Sequence, residues 1–215
     1  MDRKDAIERI RLLEGVDLRP LADKYGVTVW VGNKKNKGWA GHVIERHLGL
    51  ALNSSRSPNF GSWELKVVPL KRARNGLLKV KETMAITMID PVEVKAKEFE
   101  DSHLFNKLRK MVVVSRVFEN VQETSSLLHA AAEFDLDNPI VYDLVKTDYE
   151  LVRQAIINSG FHSLTGKMGK LIQPRTKGAG HGSTSRAFYA RTQFVAHILN
   201  IAALPFLPPV VPDEG

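Results

Sequence analysis

The residues of this chain with the clearest chemical potential are Glu64-Leu65-Lys66. On a strand, positions two apart project to the same face. A strand over 62–70 therefore sets the Glu64 carboxylate beside the Lys66 ammonium and turns Trp63, Leu65 and Val67 to the opposite, core face. A carboxylate beside an amine can hold a divalent cation and position an attacking water. A solvated ion pair is the plain alternative, because a Glu-x-Lys triplet arises often by chance. Three neighbours add weight to the chemical reading. Glu45 lies on a helix in KGWAGHVIERHLG, Pro58-Asn59 stands just before the strand where a Pro-Asp pair would complete a metal site, and Lys37 precedes Gly38 and can reach a phosphate. Taken singly, Glu45 is a surface helix residue, Lys37 an exposed loop residue and Asn59 a turn former. Together, in this order and this close, they fit a nuclease core better.

The charge distribution points the same way. The 215 residues carry a formal net charge of +7, and 43% are apolar against 26% charged, a globular balance. Residues 151–212 hold 7 basic residues and no acidic one. A long stretch without carboxylates suits a polyanion, since each phosphate contact needs a cation with no competing anion nearby. Lys71, Arg72 and Arg74 form a second basic cluster in a turn. The eight acids from Glu119 to Glu150, opposed by Lys146, are expected to face away from a phosphate backbone. A basic face on a protein with a neutral partner is the bland alternative.

Other chemistries are excluded or weak. The chain has no cysteine, which removes disulfides, zinc fingers and thiol nucleophiles. KGAGHG at 177–182 lacks the Walker spacing, the seven histidines show no H-E-x-x-H pair, and no G-x-S-x-G elbow supports a hydrolase triad. No apolar run approaches the ~20 residues of a membrane span. The N-terminal MDRKDAIERIRLLEG alternates charge with aliphatic residues, unlike a signal peptide. A soluble cytoplasmic protein of prokaryotic type, with no membrane partner, is expected.

The elements that must position these groups can be read from periodicity and turn chemistry. Helices are predicted over 4–14, after Asp17, over 38–52, over 99–110 with Asp101 or Ser102 as cap, over 147–159, and over TQFVAHILNIAAL at 192–204, before an irregular proline-rich tail. Strands are predicted at 62–70, 77–89, 111–118, 138–145 and 170–174. Asn75-Gly76 signals a hairpin turn between the first two. MVVVSRVF is apolar at nearly every position, the mark of a strand buried on both faces. His103 and Lys107, four apart on a helix, form one basic face. One α/β domain spanning 1–215 is expected, with an N-terminal catalytic lobe to about residue 115 and a C-terminal recognition lobe over about 116–205.

These residues resemble a known family. Lys37-Gly38-Trp39-Ala40-Gly41 through Glu45 to Leu48-Gly49 resembles the segment that opens MutH-type endonucleases. Pro58-Asn59 and Trp63-Glu64-Leu65-Lys66 resemble the family's Pro-Asp…Glu-x-Lys strand, and Asp101 to Lys107 the helix that follows it. Leu171-Ile172-Gln173-Pro174-Arg175 and Arg186-Ala187-Phe188-Tyr189 resemble two recognition segments near the family's C-terminus. The likeness covers roughly residues 30–200. It implies the PD-(D/E)XK restriction-endonuclease-like fold, a mixed central β-sheet flanked by helices, and a need for Mg2+, with Mn2+ as a substitute. It implies Glu64, Asn59 and Glu45 at the metal, and Lys66 beside the nucleophile. Lys37 and Lys107 would then contact phosphate, with Lys107 counted in the catalytic group. Double-stranded DNA is the implied partner, met by Lys37, His103, Lys107, Gln173, Pro174, Arg175, Lys177, Arg186 and Tyr189.

There are two departures from the family pattern. The family's Asp is Asn59 here, and it lies two residues nearer the Glu. Between Glu45 and Glu82 the only carboxylate is Glu64. An amide is nearly the size of a carboxylate but brings no negative charge to a hard cation. The expectation is a sequence-specific, magnesium-dependent DNA endonuclease of the type II restriction kind, impaired by an engineered Asp→Asn change that holds DNA uncut. The alternatives are a strand-nicking enzyme of methyl-directed mismatch repair and a naturally inactive relative kept as a DNA binder. Monomer and homodimer both remain open. Gln173 can bond adenine with two contacts and Arg175 can do so with guanine. Pro174 stiffens the backbone between them, Tyr189 offers an aromatic face and a hydroxyl, and Arg186 a phosphate contact. Ordinary roles for these are a strand-end surface position for Gln173 and a core position for Tyr189.

Overall fold

A strand that is apolar at every turn must be covered on both faces, and the fold is built around one. In a computed structural model, which describes residues 1–49, 58, 60–178 and 184–207, strand β6 (Lys110–Val117) is buried from Met111 onward. We number as β1 and β2 the short pair Trp30–Val31 and Lys34–Lys35. The central sheet has the order β4-β3-β6-β7, with β3 at Glu64–Arg72, β4 at Leu78–Val80 and β7 at Leu128–Asp135. β3 runs parallel to β6, while β4 and β7 are antiparallel to their neighbours. The β3–β4 hairpin turns at Asn75-Gly76, where Gly76 has φ +81°, a conformation that only glycine adopts without strain.

One face of this sheet is covered by helices α1 (Arg3–Arg11), α2 (Leu18–Lys24) and α3 (Trp39–His47). Their apolar sides enclose Trp63, Leu65, Val112 and Val114. Asp17 caps α2, as expected, and also accepts from the Ser126 amide. Against the other face, which carries Val68, Met111 and Val113, pack α4 (Pro91–Ala96), α5 (His103–Leu108), α6 (Pro139–Ser159) and α7 (Thr192–Ile198). A second sheet of order β5-β9-β8 joins them, with β5 at Met84–Met88, β8 at Ile172–Thr176 and β9 at Arg186–Ala190. The expected mixed sheet flanked by helices is what the chain forms. Among the described residues no helix is long and apolar enough to cross a membrane.

Several expectations need correction. Residues 138–145 form no strand but begin α6: Asn138 accepts from the Ile140 and Val141 amides, and Pro139 fills the first turn where its missing N–H costs nothing. The returning strand at 77–89 is two strands in different sheets. β7 was not expected, because Ala130, Ala131 and Ala132 have low strand propensity and are held by pairing with β6. RAFYA, not expected as a strand, forms β9 and leads into α7. The lobes also do not divide near residue 115. β5 leaves the first half of the chain to pair with β9, and β7 crosses back to pair with β6.

The acidic stretch 119–150 is partly structural rather than a solvated face. Glu123 is buried and holds Arg116 through bonds of 2.7 and 3.0 Å, with Lys35 as a further partner. The Arg116 guanidinium lies 5.2 Å from the centroid of the Trp39 ring, so the pair also fixes the start of α3. Burial pushes the Glu123 carboxyl up, but the Arg116 and Lys35 hydrogen bonds outweigh it and hold the group below the usual Glu value. Its stabilising contribution is therefore present above the ordinary value of 4.5 and is lost as pH falls below it. Glu123→Gln should cost about 3 kcal/mol, because it leaves Arg116 buried and unpaired. Chemical denaturation across pH checks this: the variant's stability should fall less than the parent's on going from neutral to acid.

Candidate active site and nucleic-acid interface

The parallel pairing of β3 with β6 places Glu64 beside Met111 and Lys66 beside Val113. Helix α5 ends just before β6, so its last turn arrives at the same end of the sheet as Glu64. Ser102 caps that helix by accepting from the Phe105 amide, which sets its direction. Glu64 is completely buried, and its Oε1 accepts from Lys66 Nζ at 2.7 Å and from Lys107 Nζ at 3.2 Å. Two ammonium groups on one buried carboxylate are what desolvation demands, since an unpaired charge there would be costly. Trp63 and Leu65 turn into the opposite core, so the alternation read from the sequence holds. Helix α3, which carries the half-buried Glu45, packs on β3.

A cleft of about 460 Å³ lies beside this centre, with Lys66 common to both. Lys37, Lys66, Thr83, Arg175 and Tyr189 line it. Gln173 and Tyr189 are paired across β8 and β9, and Arg175 follows two residues later, so all three share one sheet face; Tyr189 and the exposed Arg175 line the cleft, whereas Gln173 is buried rather than at the surface. The Arg175 guanidinium is held before any ligand arrives: Nη1 donates to Thr83 Oγ1 at 2.9 Å, and the group lies 5.9 Å from the Tyr189 ring centroid. Burial raises the Tyr189 hydroxyl above its ordinary value, so it stays protonated at neutral pH. Pro174 is buried on the other face, and its missing N–H is tolerated because β8 is an edge strand.

Most of the residues singled out from the sequence are thus gathered here. Lys177, just beyond β8, is drawn toward the Glu64 centre: partial withdrawal of its ammonium from water, then repulsion from Lys66 and Lys107, lowers its pKa, although the residue as a whole is exposed. Besides the buried Pro174, two further side chains stand apart. Arg186 is on the Phe188 face of β9, bonded to Thr176, and so opposite the reading face. His103 is a turn before Lys107 on α5, with its amide bonded to Glu93 at 3.2 Å, and does not line the cleft. Asn59 lies outside the described residues. Thr83 was not singled out; a lone threonine carries no sequence signal, and only the β5–β9 pairing brings it to Arg175.

The donors suit a hard cation in kind but not in number. Among the described residues no group of three His, Asp or Glu converges on one point.

Comparison with known proteins finds one family. A family model described as the DNA mismatch repair enzyme MutH matches residues 48–154. Over that segment the chain is similar to the MutH family of DNA mismatch repair enzymes. The DNA mismatch repair protein MutH of Vibrio cholerae (strain M66-2) is 28% identical over 220 residues, covering 92% of this chain and 95% of the relative. MutH of Shewanella sp. (strain W3-18-1) is 27% identical over 214 residues, covering 92% and 94%. Among solved structures, a complex of the restriction endonuclease MvaI with cognate DNA aligns over 92% of this chain and 97% of that one, at 14% identity and a TM-score of 0.40, too loose a match to argue from.

The lysine cluster can be checked directly. In an NMR titration of 13C-methylated lysines, Lys177 should titrate below the ordinary value of 10.5. Lys66→Met should raise it without restoring 10.5, because desolvation is the larger cause and remains.

Proposed function

We propose that the protein is a sequence-specific DNA endonuclease that hydrolyses phosphodiester bonds with magnesium, of the restriction type and weakened by Asn59. The observation that carries the proposal is the buried Glu64, held by Lys66 and Lys107, with Lys66 also lining a cleft that carries Lys37 and Arg175. In this reading Glu64, Glu45 and Asn59 hold the cation. Magnesium, when bound, polarises the scissile phosphate and lowers the pKa of a coordinated water. Lys66 orients the attacking water and screens charge developing on phosphate oxygens. Lys107 and Lys37 hold the backbone phosphates. The attacking oxygen forms the new bond to phosphorus, one ester P–O bond breaks, and the water's protons pass to solvent and the leaving oxygen.

Strand nicking in mismatch repair is the second reading, and it is favoured by MutH relatives that match over nine-tenths of the chain. The two readings differ in product. Asn59→Asp adds the missing negative charge at the cation, so cleavage of supercoiled plasmid with magnesium should rise at least ~100-fold, the usual worth of one catalytic group. Linear product favours restriction and open circles favour nicking. A variant that stays inert with magnesium and manganese on diverse DNA sinks both, leaving a DNA-binding relative.

Base reading falls to Gln173 and Arg175, with phosphate contact from Lys107. Arg175→Ala should lose roughly 1–3 kcal/mol at one base pair, whereas Lys107→Ala should weaken all sequences alike and flatten the salt dependence of binding. Binding measured on single-base variants of the preferred site separates the two. Equal losses on cognate and unrelated DNA for Arg175→Ala would make Arg175 a phosphate contact.

A further inference from the structure

The cations of residues 151–212 have no carboxylate of their own segment among them, yet a carboxylate lies directly beneath their reading strand. Asp148, on α6, is 3% exposed. Its Oδ1 accepts from the Lys170 amide at 2.7 Å, and its Oδ2 accepts from the Leu171 and Ile172 amides at 2.7 and 2.8 Å. From the other side, Arg191 grips the carbonyls of the same turn. Its Nε donates to Gly169 O, and its Nη2 donates to Gly166 O and Met168 O, each at 3.0 Å. Gln193 Nε2 adds a bond of 2.9 Å to Lys170 O. Three side chains thus fix the backbone of residues 166–172, which has no ladder of its own before β8 begins.

Gly169 completes the device. It has φ +75°, and a Cβ there would meet Ile172 O at 1.9 Å and Asp148 Cγ at 2.9 Å. The close approach of the carboxylate to three consecutive amides therefore requires a glycine at this position. The next residues along the chain on one face of β8 are Gln173, buried beside the clamp, and Arg175, exposed in the cleft. A polar pocket of about 370 Å³, lined by Thr83, Lys170, Gln173, Arg191 and Gln193, opens beside the clamp.

We infer that Asp148 and Arg191 are a positioning pair that fixes the turn 166–172 and so aims Gln173 and Arg175 at the base edges of DNA. The inference rests on the proposed reading of these two residues. A side chain that reads a base through two hydrogen bonds must arrive at a set angle, and a backbone fixed before binding leaves less ordering entropy to be lost on the DNA. Burial serves the same end. Held by amides and facing Arg191, the carboxylate presents no negative charge to a phosphate backbone. Neither residue touches the nucleic acid, so both act through the strand they hold. Their loss should damage discrimination rather than general affinity.

The experiment uses the full chain as it stands, which binds without efficient cutting if Asn59 weakens it as proposed, and a randomised duplex library in calcium buffer. The unsubstituted protein, Asp148→Asn and Arg191→Lys are each carried through selection. Affinity for the selected site, its single-base variants and an unrelated duplex is then measured, with thermal unfolding as a check of fold. Asp148→Asn keeps the shape but replaces one accepting oxygen with a donor, and Arg191→Lys keeps the charge but loses the fork. Both should reduce discrimination against single-base variants by roughly tenfold, while affinity for unrelated duplex changes by less than about threefold. Discrimination equal to the parent's in a folded variant overturns the inference, as does an equal loss on every duplex. If Asp148→Asn does not fold, Gln193→Ala takes its place. It removes one contact from an exposed side chain and should show a smaller loss of the same kind; no loss there and in Arg191→Lys overturns the pair. An unsubstituted protein that selects no sequence overturns the reading on which the inference depends, and the inference with it.

Discussion

The rest of the site depends on the burial of the Glu64 carboxylate. A charge with no exposure is tolerated only where partners replace its water, and loss of those partners costs several kcal/mol. Lys66 supplies one from the same strand face, and Lys107 the other from a helix more than forty residues away in sequence. The parallel β3–β6 pairing makes the second contact possible, because it brings the start of β6, and the helix that leads into it, to the start of β3. The apolar run of β6 forces that pairing by needing cover on both faces. Thus a hydrophobic constraint on one strand sets the position of a polar triad on another.

Two networks hold the walls of the cleft around this centre. On the α3 side, Glu123 and Arg116 brace Trp39, which anchors the helix that carries Glu45 and follows Lys37. On the β8 side, Asp148 and Arg191 brace the turn that leads to Gln173 and Arg175. In both, a buried carboxylate from the acidic 119–150 stretch is neutralised and hidden. The cleft itself is lined by Lys37, Lys66 and Arg175, with Glu82 as its one exposed carboxylate among the lining residues. The two sides are unlike in kind, since the first lies beside the Glu64 centre and the second, in the proposed reading, presents side chains for recognition.

The centre was legible in the sequence, and its surroundings less so. Strand alternation was enough to place Glu64 and Lys66 on one face and Trp63 and Leu65 on the other, and the i,i+4 spacing put His103 and Lys107 on one side of α5. Only the first pairing determined contacts at the centre; His103 lies away from the cleft although its spacing is the same as expected. β7 was missed because alanines give no strand signal and the strand exists through its pairing with β6. Asn138-Pro139 was read as the start of a strand because Ile140 and Val141 favour one, although the dipeptide is a cap and a first helical residue. Arg186, expected at a phosphate, has no visible phase in the sequence; only the register of β8 with β9 turns it to the face opposite Gln173 and Tyr189. Thr83, Asp148 and Arg191 had no sequence signal, because their roles consist wholly of long-range hydrogen bonds.

The most direct test of the central claim is cleavage of supercoiled plasmid in magnesium by Asn59→Asp protein with and without the further change Glu64→Gln, with duplex affinity measured in parallel. Glu64→Gln keeps the size of the side chain and removes only its charge. Cleavage should fall at least ~100-fold while duplex affinity stays the same or rises, because a negative charge has left a cationic cleft. Equal cleavage by the two proteins would contradict a nuclease centre built on Glu64.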